Sequence, residues 1–140
     1  MQITQQLHPA PVAPLRVFIV EDSSQVLERL EEMVGNIDGA RCAGSATTVA
    51  AALRGIADTR PDAVILDIRL EQGSGFEVLR ALKTAALPTP VYIFSNLATE
   101  PYRRMAQRLG ATAFFDKCNQ ADDMRALLAQ RAAQHAAQLH

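Results

Sequence analysis

Two cysteines in 140 residues are too few for a disulfide framework or a thiolate metal site, so Cys42 and Cys118 read most simply as free thiols in a reducing compartment. Net charge is nearly absent as well: 14 basic residues against 15 acidic ones leave −1 at neutral pH. That balance offers no electrostatic footprint for nucleic acid and no polybasic patch for a membrane surface, and partners are expected among proteins and small ions. No apolar run approaches the roughly 20 residues of a membrane span, and the first residues lack the basic, apolar and small-residue order of a signal peptide. A cytoplasmic location is the expectation. No internal repeat, second domain or output domain can be picked out. A chain of this length can still bury a core without staples, and one compact unit is expected.

What is present is a series of short apolar runs, each ending in a polar residue. Residues 1–14, with Pro9, Pro11 and Pro14, read as a flexible tail. Leu15 to Val20 is strand-like and ends at Glu21-Asp22-Ser23-Ser24; Val26, Leu27, Leu30, Met33 and Val34 then recur at helical spacing, with Ser23 or Ser24 as cap. A weak strand is read over Ala40 to Ser45, and a helix over Thr47 to Ala57 that presents Val49, Leu53 and Ile56. Ala63 to Leu66 has no polar face at all, which suits a strand covered on both sides and delivers Asp67 into a Gly-rich turn ending at Gly75. A helix follows with Phe76, Leu79 and Leu82 on one face.

Val91 to Phe94 is again continuously apolar and ends at Ser95. The next helix, around Pro101 to Leu109, is expected to turn Tyr102, Met105 and Leu109 inward and to stop at Gly110. Ala113 to Phe115 forms a fifth strand ending near Lys117, and a last helix from about Gln120 buries Met124, Leu127 and Leu128. Beyond Leu128 only alanines and Leu139 could face a core, so 129–140 reads as a helical extension that either prolongs this helix or frays. Five strands alternating with five helices define an α/β fold, a doubly wound parallel sheet over 15–128.

In such a sheet the carboxyl ends of the strands share one edge, where ligands bind. Glu21 and Asp22, Asp67, Ser95 and Lys117 stand at four of the five ends. Converging carboxylates repel and raise one another's pKa, and a hard divalent cation such as Mg²⁺ relieves this with oxygen ligands. Carboxylate, metal, hydroxyl and ammonium together suit phosphoryl transfer to an oxygen nucleophile: Asp67 can attack to give an acyl phosphate, with lysine as a point charge for phosphate. Singly, each residue has a plainer reading. Glu21-Asp22 would favour a helix N-terminus, Ser95 would serve as a cap, and Lys117 would pair with Asp116 in solvent.

Taken as a spaced set, the residues resemble the receiver domain of two-component response regulators. Val-Phe-Ile-Val-Glu21-Asp22 is similar to that family's acidic pair after strand one, and Val-Ile-Leu-Asp67-Ile-Arg-Leu with Gly-Ser-Gly75-Phe-Glu-Val-Leu to its phosphoacceptor segment. Ile-Phe-Ser95 resembles the hydroxyl segment, and Gly110-Ala-Thr-Ala-Phe114-Phe-Asp-Lys117 the segment with the switch aromatic and lysine. The resemblance implies sheet order 2-1-3-4-5 and acceptance of a phosphoryl group by Asp67 from a sensor histidine kinase, a phosphotransfer protein or a small phosphodonor. Glu21, Asp22, Asp67 and the backbone carbonyl of Arg69 would bind Mg²⁺, and Ser95 and Lys117 would contact the phosphoryl oxygens. Ser95 would move toward that group while Phe114 rotates inward, a population shift between two packings. Arg69 and Leu97 occupy places that tune the lifetime of the acyl phosphate.

Four departures accompany the match. Glu71 stands where proline is common after the acceptor loop, Asn96 where a small residue usually follows the hydroxyl, and Cys118 where proline frequently follows the lysine. A cis bond before Cys118 would cost about 2.5–4 kcal/mol. Phe114 has no hydroxyl to offer a partner. The expected function is that of a stand-alone phosphorylation switch, not an enzyme beyond its own phosphorylation and dephosphorylation. Its output would be a contact with a downstream protein or a second copy through the helix at 99–109, the strand at 112–116 and the last helix. The alternatives are a degenerate receiver that is never phosphorylated, a haloacid-dehalogenase-type phosphatase and a flavodoxin-like cofactor binder. The phosphatase normally needs a second Asp where Arg69 stands, and the cofactor binder needs a hydroxyl-rich loop after strand one.

Overall fold

The computed structural model describes residues 13–138. Strands β1 (Leu15–Val20), β2 (Ala40–Ala46), β3 (Ala63–Leu66), β4 (Val91–Ser95) and β5 (Ala113–Asp116) run parallel in the order β2-β1-β3-β4-β5. Helices α1 (Ser24–Gly35), α2 (Val49–Thr59), α3 (Gly75–Thr84), α4 (Glu100–Arg108) and α5 (Ala121–Gln138) connect and follow them. The order reverses between β1 and β3, which opens a crevice at their carboxyl ends, the place where doubly wound sheets bind ligands.

Alternating side chains of the strands feed two apolar layers. Val20, Leu66 and Ile93 pack with Ile56, Leu79 and Ala106 on one face, while Ile19, Ile65 and Phe94 pack with Leu30, Met124 and Leu128 on the other. Because both faces are covered, β3 is buried along its whole length, and its unbroken apolar run has this cause. Ser23, Thr48 and Ser74 cap α1, α2 and α3 by accepting from Val26, Ala51 and Phe76 N–H groups at 3.3, 3.2 and 3.1 Å. Glu77 completes a capping box by accepting from the Ser74 N–H at 3.1 Å. These caps end the loops that follow the strands, so they also set where the strand-end residues lie.

Two expectations need correction or completion. In the inward stripe of α4 Tyr102 and Met105 are misplaced, both being 36 % exposed; Ala106 is the buried residue, and Leu109 packs half-buried against the core as expected. The small Ala106 lets the helix approach the sheet closely, and the half-buried Arg103 one turn earlier covers Phe114, so large apolar groups are left at the flank. Tyr102 there stacks on Phe76 of α3 with ring centroids 6.5 Å apart. At the other end of the chain α5 continues without a break to Gln138 and buries Ala132 as well as Met124 and Leu128. Residues 1–12 of the Pro-containing stretch, and Leu139, lie outside the described residues.

Candidate functional site

Each strand that feeds the crevice hands over its polar residue where the apolar run stops. Glu21 follows β1 and is 1 % exposed; Asp67 follows β3 at 5 %; Ser95 closes β4 at 1 %. Burying three such groups side by side is costly unless they are partnered. Lys117, just past β5, supplies the partner: its Nζ lies 2.7 Å from Asp67 Oδ2 and 2.7 Å from Glu21 Oε1. The other Glu21 oxygen accepts from the Ser23 N–H at 3.0 Å, which ties the carboxylate to the start of α1. Asp67 Oδ1 is buried with no hydrogen-bond partner.

The electrostatics follow from this packing. Burial pushes the Glu21 carboxyl up and nearby Asp67 adds to the rise, against the hydrogen bonds from Lys117 and Ser23. Burial opposes the charge on Lys117, but the hydrogen bonds and Coulomb attraction of Asp67 and Glu21 outweigh it and hold the ammonium above the ordinary lysine range. Two carboxylates thus share one cation, and a third carboxylate, the exposed Asp22, completes a group whose oxygens lie within 4.8 Å of one another. An orphaned buried carboxylate oxygen beside this cluster is the donor set a hard divalent cation takes, so the residues fit Mg²⁺.

The cluster floors a cleft of about 330 Å³ whose rim includes Arg69, Asn96 and Leu97. Gly75 allows the loop after β3 to double back: its N–H donates to the Ile68 carbonyl at 2.7 Å, and a Cβ at that position would strike the Asp67 carbonyl. Arg69 is exposed and bridges to Ser74 across the same loop. At Glu71, where the resemblance leads one to expect proline, the loop is braced instead by Thr47, whose carbonyl accepts the Glu71 N–H at 3.4 Å and whose hydroxyl lies 3.5 Å from Glu71 Oε1. The Ser95 hydroxyl accepts from the Leu97 N–H at 3.1 Å, which leaves its own proton free to donate.

Of the candidate site residues, Glu21, Asp22, Asp67, Arg69, Ser95, Leu97 and Lys117 gather here, and Phe114, half-buried on β5, does not. Two arrangements were not anticipated. The Cys118 thiol lies 3.6 Å from Asn96 Oδ1, joining the loops after β4 and β5 at the rim, with all peptide bonds among the described residues trans. Arg103 covers the Phe114 ring with its guanidinium carbon 4.7 Å from the centroid. The available signal was a cation placed one helical turn before the buried Ala106.

A buried carboxylate at the switch point of an order 2-1-3-4-5 sheet, paired to a lysine just past the last strand, places the chain among the flavodoxin-like doubly wound folds. Residues 17–129 match the family model of the response regulator receiver domain, and the chain belongs to that family. The receiver domain of HemR from Leptospira biflexa superposes with a TM-score of 0.73 at 26 % identity, covering 85 % of this chain and 93 % of that one. The response regulator domain of Thermotoga maritima CheB does so at 0.76 and 23 % identity, over 88 % and 96 %. Among curated relatives, the transcriptional regulatory protein PrrA of Mycobacterium leprae is 34 % identical over 110 residues, 76 % of this chain and 45 % of its own length. A protein-glutamate methylesterase/protein-glutamine glutaminase of Nocardioides is 29 % identical over 99 residues, 71 % of this chain. The chain spans only 27 % of that relative. No helix among the described residues is long and apolar enough to cross a membrane.

Proposed function

We propose that Asp67 is the phosphoacceptor of this receiver domain and that its phosphorylation switches a protein-binding surface. The supporting observation is the Asp67 carboxylate itself: buried at the floor of the cleft, one oxygen held by Lys117 at 2.7 Å and the other without a partner. A carboxylate oxygen of Asp67 attacks phosphorus, an O–P bond forms, and the P–N bond to the imidazole of a phosphohistidine donor breaks. The donor is a sensor histidine kinase or a phosphotransfer protein. Lys117 offsets charge on the transferring group, and the free Ser95 proton donates to one of its oxygens. Glu21, Asp22, Asp67 and the Arg69 carbonyl would hold Mg²⁺, which would supply positive charge to offset the charge that builds up during phosphoryl transfer. Leu97 and Arg69, at the rim of the cleft, tune the lifetime of the acyl phosphate. The chain turns over no other substrate in this reading, and it acts in the cytoplasm.

Incubation with acetyl phosphate and Mg²⁺ tests this by intact mass. One added phosphoryl group is expected, absent when Mg²⁺ is chelated and absent in Asp67→Asn. A wild-type chain that takes no label under saturating donor overturns the proposal, as does a folded Asp67→Asn that labels equally.

A further inference from the structure

We infer that Arg103 is a positioning residue that couples the loop carrying Ser95 to the Phe114 ring and holds both in the resting arrangement; the inference rests on the phosphoacceptor reading of Asp67. Its guanidinium touches three segments at once. The carbon lies 4.7 Å from the Phe114 ring centroid on β5. Nε donates to the Ala98 carbonyl at 2.8 Å, in the loop between β4 and α4. Nη2 reaches Gln120 Oε1 at 3.4 Å, the oxygen that also accepts the Asp116 N–H at 2.8 Å before α5.

The geometry converts a small displacement in the cleft into a change at the aromatic ring. The Ser95 hydroxyl is held inside its own loop by the Leu97 N–H at 3.1 Å. Drawing that hydroxyl toward a phosphoryl group on Asp67 carries residues 96–98 with it. The Ala98 carbonyl then leaves Nε, or it pulls the guanidinium across the ring. Because the guanidinium is planar and its donors are fixed relative to one another, Nε cannot follow the loop while the plane stays on Phe114 and Nη2 stays on Gln120. Loop and ring therefore change together. Both contacts hold loop and ring where the Ser95 hydroxyl is engaged by its own loop, so they oppose any displacement that draws that hydroxyl away.

Nothing in the cleft depends on Arg103 directly, so its removal is informative. The experiment follows acetyl-phosphate labelling of Asp67 by intact mass, together with the fluorine NMR signal of 4-fluorophenylalanine placed at position 114, with and without Mg²⁺ and beryllofluoride. For Arg103→Ala the resting fluorine signal is expected to move toward its beryllofluoride position. Labelling is expected to speed up about threefold to tenfold, the scale of one lost cation–π contact with its hydrogen bond. Arg103→Lys, which keeps a charge near the ring without the fork, should recover part of the wild-type rate. Arg103→Met keeps the apolar stem and should behave like Arg103→Ala if the guanidinium, and not helix packing, is responsible. Labelling of a folded Arg103→Met at the wild-type rate or slower overturns the inference, whatever the fluorine signal does. A wild-type chain that takes no label overturns the phosphoacceptor reading first, and the coupling with it.

Discussion

β3 changes character within one residue. Ala63 to Leu66 is buried on both faces and carries no polar side chain, whereas Asp67 is equally buried and shares one lysine with a second buried carboxylate. The body of the sheet gains stability from apolar area removed from water, and each strand there resembles its neighbours. Its carboxyl edge gathers charge that burial disfavours and that a single ammonium only partly offsets. The body is therefore the part whose disruption unfolds the chain. The edge is the part whose disruption removes function, and it is held together by few, specific contacts.

The sharpest way to break this contrast is in the body. Leu66 is fully buried between β1 and β4, in the apolar layer it shares with Ile56, Leu79 and Ala106. Leu66→Ala removes buried methyl groups and leaves a cavity in a layer that cannot collapse freely, for a loss of about 3–5 kcal/mol in urea unfolding. Phosphoryl labelling of the fraction that remains folded should be little changed. A loss below about 1 kcal/mol would mean the layer repacks, and that the body is not the source of stability claimed for it.

A smaller stability effect is expected at the edge, with a larger functional one. Lys117→Met keeps the stem but removes the ammonium from two buried carboxylates, which then face each other without a counter-charge. Breaking a buried pair in this way costs about 3 kcal/mol, less here because Lys117 retains 13 % exposure and Asp22 opens the cluster to solvent. Mg²⁺ at millimolar concentration should restore part of the loss, since a divalent cation can take over the carboxylates Lys117 has left. The same variant should lose acetyl-phosphate labelling almost entirely. Full stability without Mg²⁺ would show that the edge carries no electrostatic strain, and the contrast with the body would fail.

The same division explains what the sequence made legible. Runs such as Ala63–Leu66 announce strands covered on both sides, and the polar residue that ends each run marks the site, because a chain does not bury Asp67 or Ser95 there without a use for it. The sheet order was not contained in those runs; it came from the likeness to a family, since period and length say nothing about which strands are neighbours. Lys117 bridging Glu21 and Asp67 depends on the directions of three side chains brought from separate strands, and no local pattern encodes that. α4 was misread because a hydrophobicity argument ranks Tyr102 and Met105 above Ala106 and Arg103. The face that meets β5 is chosen by close approach and by a cation over a ring, not by apolar bulk.

The mildest probe compares the two thiols. Cys42 lies half-buried in β2, in the body, where burial pushes its thiol above the ordinary cysteine value and the Sγ–H is directed at the Gly44 carbonyl at 3.5 Å. Cys118 is exposed at the rim of the cleft, against Asn96. Alkylation proceeds through the thiolate, so burial and a raised pKa act together to slow Cys42. With one equivalent of iodoacetamide near pH 8, peptide mass analysis should find Cys118 modified well before Cys42. The added group stands on the rim, away from both apolar layers, and the melting midpoint of the singly modified chain should match that of the unmodified one. Phosphoryl labelling of Asp67 should slow, because the modification breaks the Asn96 contact and adds bulk where the donor enters. Modification of Cys42 first, or a melting midpoint that falls with Cys118 alone, would mean that the rim shares in the stability of the body and that the two regions are not separable in the way β3 suggests.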